Sequence, residues 1–210
     1  MRISSKSFVD GGRIPAEYAF CQPDPEAHVV LSENINPELT WEDVPEGTRS
    51  YVLICVDPNV PADATDVNKE GKLLEANLPR LDFFHWVLVD IPPSIRHIAE
   101  GLDCDGVTPG GKGSESCLQG ARRGMNDYSS WFEGDADMAG KYFGYDGPCP
   151  PWNDSIAHRY IFTVYALDIA RCPLEEDFDG RAVLQAIHGH VLERASIRCC
   201  VGRLARGSEH

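Results

Sequence analysis

Three residues have side chains that could do chemistry together: Asp57, His85 and His158. A carboxylate and two imidazoles can act in three ways. They can share protons as an acid–base set, complete a 2-His-1-carboxylate metal site, or, with the imidazoles protonated, attract a small anion. Around them stand Pro148, Pro150 and Pro151, which fix φ along one wall and remove backbone donors, so that a remaining N–H such as that of Cys149 can point at a ligand. The phenol of Tyr160 is two residues from His158 and adds another polar group. An activated nucleophile is not evident, since the chain has no Gly-x-Ser-x-Gly sequence.

The elements that must position these groups are apolar runs rich in β-branched and aromatic residues: Tyr51 to Val56, Phe83 to Ile91 and Tyr160 to Leu167. Short, continuous and bounded by turn residues or charges, they read as strands buried on both faces. His28 to Ser32 and Ser196 to Leu204 are weaker strand candidates. Asp57 follows the first buried strand, His85 begins the second and His158 precedes the third. If the second and third both run antiparallel to the first, its end meets their beginnings, and all three side chains converge on one rim of the sheet. Near a carboxylate both imidazoles are expected to be protonated, which suits an oxyanion. The bland alternative is that they cap strand ends. His158→Ala is therefore expected to weaken anion binding with the fold intact, whereas lost stability would favour capping.

One segment carries a helical stripe: Gly180 to Arg194, with Val183, Leu184, Ile187, Val191 and Leu192 at three-to-four-residue spacing and Asp179 as N-cap. The connections Pro58–Asp82 and Pro92–Arg159 are long enough to be functional loops. With one good helix and several strands the class is mainly β, and residues 1–210 are expected to form one domain.

Composition narrows the partners. The chain has 210 residues with a formal net charge of −14, which disfavours nucleic acid and polybasic adhesion to anionic membranes. No apolar stretch approaches the roughly 18 residues of a bilayer span, and the segment Met1–Phe20 lacks the apolar core of a signal peptide, so a cytoplasmic location is expected. The eight cysteines (21, 55, 104, 117, 149, 172, 199 and 200) contain no Cys-x-x-Cys and are expected to be mostly reduced thiols rather than a zinc site or a disulfide framework. No metal or other cofactor is expected.

Several motifs occur in the order of a known family. Asp57-Pro58-Asn59-Val60-Pro61 is similar to an Asp-Pro-Asp-x-Pro motif, and His85-Trp86-Val87 to a His-Trp-Val strand. Gly124-Met125-Asn126-Asp127-Tyr128 and Gly144-Tyr145-Asp146-Gly147-Pro148-Cys149-Pro150-Pro151 follow, then His158-Arg159-Tyr160. Gly11-Gly12-Arg13-Ile14-Pro15, Asn36-Pro37-Glu38-Leu39-Thr40-Trp41 and Gly189-His190-Val191-Leu192 extend the similarity over most of residues 3–204. The chain thus resembles the phosphatidylethanolamine-binding protein family, in its prokaryotic Raf-kinase-inhibitor-like branch.

The resemblance implies a central antiparallel sheet packed on a smaller sheet, a C-terminal helix near the pocket, and a small anion cavity at the sheet edge for phosphate-like or carboxylate groups. Its lining would be Asp57, Pro61, His85, Cys149 (through its N–H), Pro150, His158 and Tyr160. A phospholipid headgroup or phosphorylated ligand is the implied partner. The alternatives are an inhibitor or scaffold of a kinase or peptidase, a homodimer, and a metal-dependent or acid–base hydrolase using Asp57, His85 and His158. Two features depart from the family pattern. Asn59 stands where the motif has a second Asp, easing anion entry or simply preserving a turn, and the loops Ala62–Leu81 and Ser129–Tyr142 are longer. Trp131, Phe132 and Trp152 either form a lid or pack against the body.

Overall fold

The computed structural model describes residues 1–202. Its strands are β1 (Arg2–Ser4), β2 (Cys21–Asp24), β3 (His28–Leu31), β4 (Leu39–Glu42) and β5 (Ser50–Pro61), then β6 (Arg80–Ile91), β7 (His97–Ile98), β8 (Arg122–Arg123), β9 (His158–Leu167) and β10 (Val191–Val201). They form a central sheet in the order β10-β9-β5-β6-β8, a smaller sheet β1-β4-β7 and a hairpin β2-β3. The protein is mainly β, and the strand pairs within these sheets are antiparallel.

Both faces of the central sheet are covered, which explains why its strands read as unbroken apolar runs. On β5, Tyr51, Leu53 and Cys55 face a core shared with Leu39 and Trp41 of β4 and Ile98 of β7. Val52 and Ile54 face the other way, into a core with Val183 and Ile187. The alternation is the ordinary period of two, and its first core face leads directly to the site.

The C-terminal segment differs from its helical reading. Helix α2 spans only Gly180–Ala186, after a four-residue helix α1 (Tyr128–Trp131) earlier in the chain. Asp179 does cap α2, its carboxylate accepting the Ala182 N–H at 2.8 Å. Gly189 then turns the chain at φ +86°, and Val191 onward pairs along β9 as far as Val201↔His158. Ladder hydrogen bonds to an otherwise unpaired β9 edge outweigh another helical turn. Val191 and Leu192 are consequently exposed rather than buried on a helical stripe. Leu204, included in the sequence-based strand, lies outside the described residues.

Candidate functional site

Strands β6 and β9 both run antiparallel to β5, with Val56 opposite Phe84 on one side and Ile161 on the other. Asp57, His158 and Tyr160 thereby continue the face that buries Cys55 and Phe162. His85 arrives there by a β-bulge. Cys55 pairs with Trp86 and Val56 with Phe84, so His85 is the extra residue between them, and the bulge re-aims it. Its ring meets Tyr160 and Phe83 at centroid distances of 5.1 and 4.9 Å.

These side chains floor a cavity of about 140 Å³. Asp57, Pro61, His85 and Cys149 border it, as do Pro150, His158 and Tyr160. The residues singled out from the sequence are therefore brought together. Sequence reasoning missed Phe20, Val60, Phe83 and Tyr128, which make much of the remaining wall apolar and aromatic. The period-two alternation could have flagged Phe83, but nothing local to Phe20 could.

His158 is buried between two carboxylates. Its Nδ1 donates to Asp57 Oδ2 at 2.7 Å and its Nε2 to Asp154 Oδ2 at 3.1 Å. Burial alone would lower its pKa, but the bonds and charges of Asp57 and Asp154 outweigh that and hold it above the ordinary imidazole value. Asp154 in turn receives both terminal nitrogens of Arg80, at 2.5 and 3.1 Å. Burial opposes its ionisation, yet the bonds from Arg80 and His158 keep its pKa below the usual carboxylate value. Neither Asp154 nor Arg80 was singled out from the sequence. Asp154 lies only four residues before His158, but on an irregular segment where that spacing carries no facing rule.

His85 differs from the protonated state expected for it. Burial pushes its pKa down, more than the carboxylates of Asp57, Asp127 and Asp146 and the bond to Asp146 push it up. Its Nδ1 donates to the Asp146 carbonyl at 2.8 Å, leaving Nε2 as the acceptor of a neutral ring. The metal alternative also loses a ligand. Both nitrogens of His158 are donors to carboxylates, so His158 has no lone pair to offer a cation.

Asn59 has a structural role in place of the second Asp. Its N–H donates to Asp57 Oδ1 at 2.8 Å, while its Oδ1 accepts from the Arg159 backbone at 3.1 Å, outside the cavity. It orients the Asp57 carboxylate and ties β5 to β9.

The wall from Gly147 to Pro151 is set by contacts from remote segments. Gly147 N–H donates to Asn34 Oδ1 at 2.7 Å and its carbonyl accepts from Tyr128 Oη at 2.9 Å. Pro148 O accepts from the N–H groups of Phe20 and Cys21. The Cys149 N–H meets no protein acceptor among the described residues. A Cβ on Gly147 would lie 2.1 Å from the Tyr18 carbonyl oxygen, against backbone that cannot move aside. Gly147→Ala should therefore cost about 1–3 kcal/mol of stability. A melting temperature equal to the parent's would contradict this account of the wall.

The expectation of mostly reduced thiols holds for six of the eight cysteines and misses one bridge. Cys21 and Cys149 form a disulfide, with Cα atoms 5.0 Å apart. Cys55, Cys104, Cys117, Cys172, Cys199 and Cys200 are free. The bridge escaped the sequence reading because its ends are separated by 128 residues, with no local spacing to mark them.

The longer loops both reach the mouth. Val67 and Asn68 border the cavity from Ala62–Leu81. Asn153 fastens that loop, accepting from Asn68 N at 2.9 Å and donating to the Asp66 carbonyl at 2.9 Å. From Ser129–Tyr142, Trp131 and Phe132 line the opening. Phe132 packs against Tyr128 and Phe20, while Trp131 is 43 % exposed. Trp152 instead stacks on His28, with ring centroids 3.9 Å apart.

The description of the phosphatidylethanolamine-binding proteins, taken as a sequence profile, matches residues 4–201. The chain belongs to this family. Among curated relatives it is 32 % identical over 197 residues to the UPF0098 protein YbhB of Escherichia coli strain K12, covering 94 % of this chain and 97 % of YbhB. A UPF0098 protein of Methanothermobacter thermautotrophicus is 32 % identical over 207 residues, covering 99 % of this chain and all of that one. The fold matches the crystal structure of Escherichia coli YbcL, described as a member of the mammalian phosphatidylethanolamine-binding protein family. That match has a TM-score of 0.68 at 23 % identity and covers 97 % of this chain and 98 % of YbcL. A homologue from Chlamydia trachomatis matches with a TM-score of 0.63 at 25 % identity and 97 % coverage of both chains. Among the described residues no helix is long and apolar enough to cross a membrane.

Proposed function

We propose that the chain is a single binding domain whose cavity holds a small anionic headgroup, phosphate-like or carboxylate, attached to an apolar or aromatic remainder. The carrying observation is the mixed lining of the cavity, buried polar groups beside aromatic walls. Asp57, His85, His158 and Tyr160 are buried polar groups of its lining, while Phe20, Phe83, Phe132 and Trp131 supply apolar wall. At about 140 Å³ it is smaller than the roughly 300–1,000 Å³ typical of drug-sized sites, so it suits a headgroup with the rest of the ligand outside. The free Cys149 N–H is a ready donor to an anion. Because Asp57 and Asp154 engage both ring nitrogens of His158, the site favours capture over acid–base hydrolysis.

The net charge of −14 belongs to the whole surface and disfavours extended polyanions, whereas a headgroup entering one neutral recess is spared most of it. A cytoplasmic protein would meet conditions that reduce Cys21–Cys149, and an oxidising compartment would preserve the bridge, so location sets the state of the cavity wall.

The test is a titration of inorganic phosphate, phosphoethanolamine and acetate followed by NMR at the Cys149 amide and the His85 ring. Saturable shifts at both positions with at least one ligand are expected. Unchanged signals with all of them would overturn the proposal.

A further inference from the structure

We infer that the cavity selects an anion carrying its own acidic proton, a hydrogen phosphate or monoprotonated phosphomonoester, over one that has none, such as sulfate or a phosphodiester. The inference rests on the headgroup reading above and narrows its chemical class. It follows from how the polar groups of the floor are already committed.

His158 lies on the cavity but donates from both nitrogens to Asp57 and Asp154, so it has no N–H left for a ligand. Both terminal nitrogens of Arg80 are spent on Asp154 and on the Asn59 and Glu75 carbonyls, and its unpartnered Nε is buried on a residue that does not border the cavity. His85 gives its Nδ1 proton to the Asp146 carbonyl and presents the Nε2 lone pair. Asp57 accepts from Asn59 N and His158 Nδ1, and its remaining lone pairs are also acceptors. Among the described residues of this lining the Cys149 N–H is a donor without a protein acceptor, while the Tyr160 hydroxyl leans on the Asp57 carboxylate.

Nor does net charge favour a bare anion. Asp57 and Asp154 are balanced by His158 and Arg80. Behind the floor, Asp146 is paired with Lys112 at 2.9 Å and Asp127 with Arg181 at 2.9 Å. An aprotic anion would place its oxygens against a carboxylate and a lone pair. A ligand P–O–H instead donates to Asp57 or to His85 Nε2 while another of its oxygens accepts from the Cys149 N–H. A bond of that charge-assisted kind is about twice as strong as a neutral one. Phosphomonoesters have a second pKa near 6 and so retain the proton in a usable fraction around neutrality.

Calorimetric titration of the whole chain with methyl phosphate, dimethyl phosphate and sulfate tests this. At pH 6, methyl phosphate should bind at least tenfold more tightly than either of the others. Raising the pH from 6 to 8 should weaken it about fifty-fold, as its protonated fraction falls through a pKa near 6. His85, Asp57, His158, Tyr160 and Tyr128 also face or flank the cavity as titratable groups, so methylphosphonate, whose second pKa is higher, serves as control. Its break should move to correspondingly higher pH. Asp57→Asn, which offers an amide donor, should bring sulfate to within about twofold of methyl phosphate. If that variant does not fold, the wild-type ligand series still decides. Equal binding of sulfate and methyl phosphate, or a pH break independent of the ligand, overturns the proton requirement and leaves the headgroup site standing. No binding of any anion overturns both.

Discussion

His158→Ala should destabilise the protein by about 3–5 kcal/mol, the cost of removing one partner from a buried ion pair. The sequence-based expectation of an intact fold changes because of what the imidazole touches. Its loss leaves the Asp57 and Asp154 carboxylates buried and facing one another's vacated partner, with Arg80 covering only Asp154. For a domain of this size the cost corresponds to a fall of roughly 10 °C in melting temperature. Adding Asp57→Asn to His158→Ala should recover about 1–2 kcal/mol, since an amide needs no countercharge, and denaturant melts of the four species give the coupling directly. A single variant within about 0.5 kcal/mol of the parent would refute the clamp. The same clamp sets a pH dependence. Because the folded-state pKa of His158 is raised above 6.5, its stabilisation is complete below that value and is lost as pH rises through the raised pKa. Stability of the parent should decline over that window, and His158→Ala should remove this part of the decline.

Reducing the Cys21–Cys149 bridge should lower stability by about 4–5 kcal/mol, or roughly 10–15 °C in melting temperature. A loop of this span, 128 residues, lies near the upper end of what cross-linking contributes by restricting the unfolded chain. The backbone bonds from Phe20 and Cys21 to Pro148 do not require the bridge, so the hairpin β2-β3 should stay docked after reduction. The local effect falls on the cavity, because Cys149 lines it and Phe20 stands beside Cys21 on the same wall. Melting curves with and without dithiothreitol, alongside Cys21→Ser with Cys149→Ser, check this. A midpoint that neither reduction nor the double variant alters would show that the bridge contributes nothing.

The convergence of Asp57, His85 and His158 is legible without coordinates because it needs only local rules. Apolar runs mark β5, β6 and β9, and antiparallel neighbours bring an end against two beginnings. The period of two then puts Asp57 on the face of Cys55 and His158 on that of Phe162. The motif resemblance points to the same residues and to the mainly β fold. Asp179 as a helix cap is similarly local, a side chain bonding an N–H three residues on.

What the sequence alone could not decide depends on competition or on distance. Ile187 to Leu192 fit a helical stripe, yet Gly189 and the open edge of β9 claim that segment for a turn and a strand. The bulge at His85 depends on the register of two strands rather than on either one's composition. Arg80 meets Asp154 across 74 residues and Cys21 meets Cys149 across 128, and such pairs leave no periodic trace. Protonation was the most consequential of these. A carboxylate near two imidazoles suggests two cations, but burial keeps His85 neutral while paired carboxylates hold His158 charged and fully engaged. The residue types and their meeting point were written in the sequence. Which groups donate, which accept and which remain free for a ligand was decided by the tertiary structure, because burial and the nearest partner set the state of each proton.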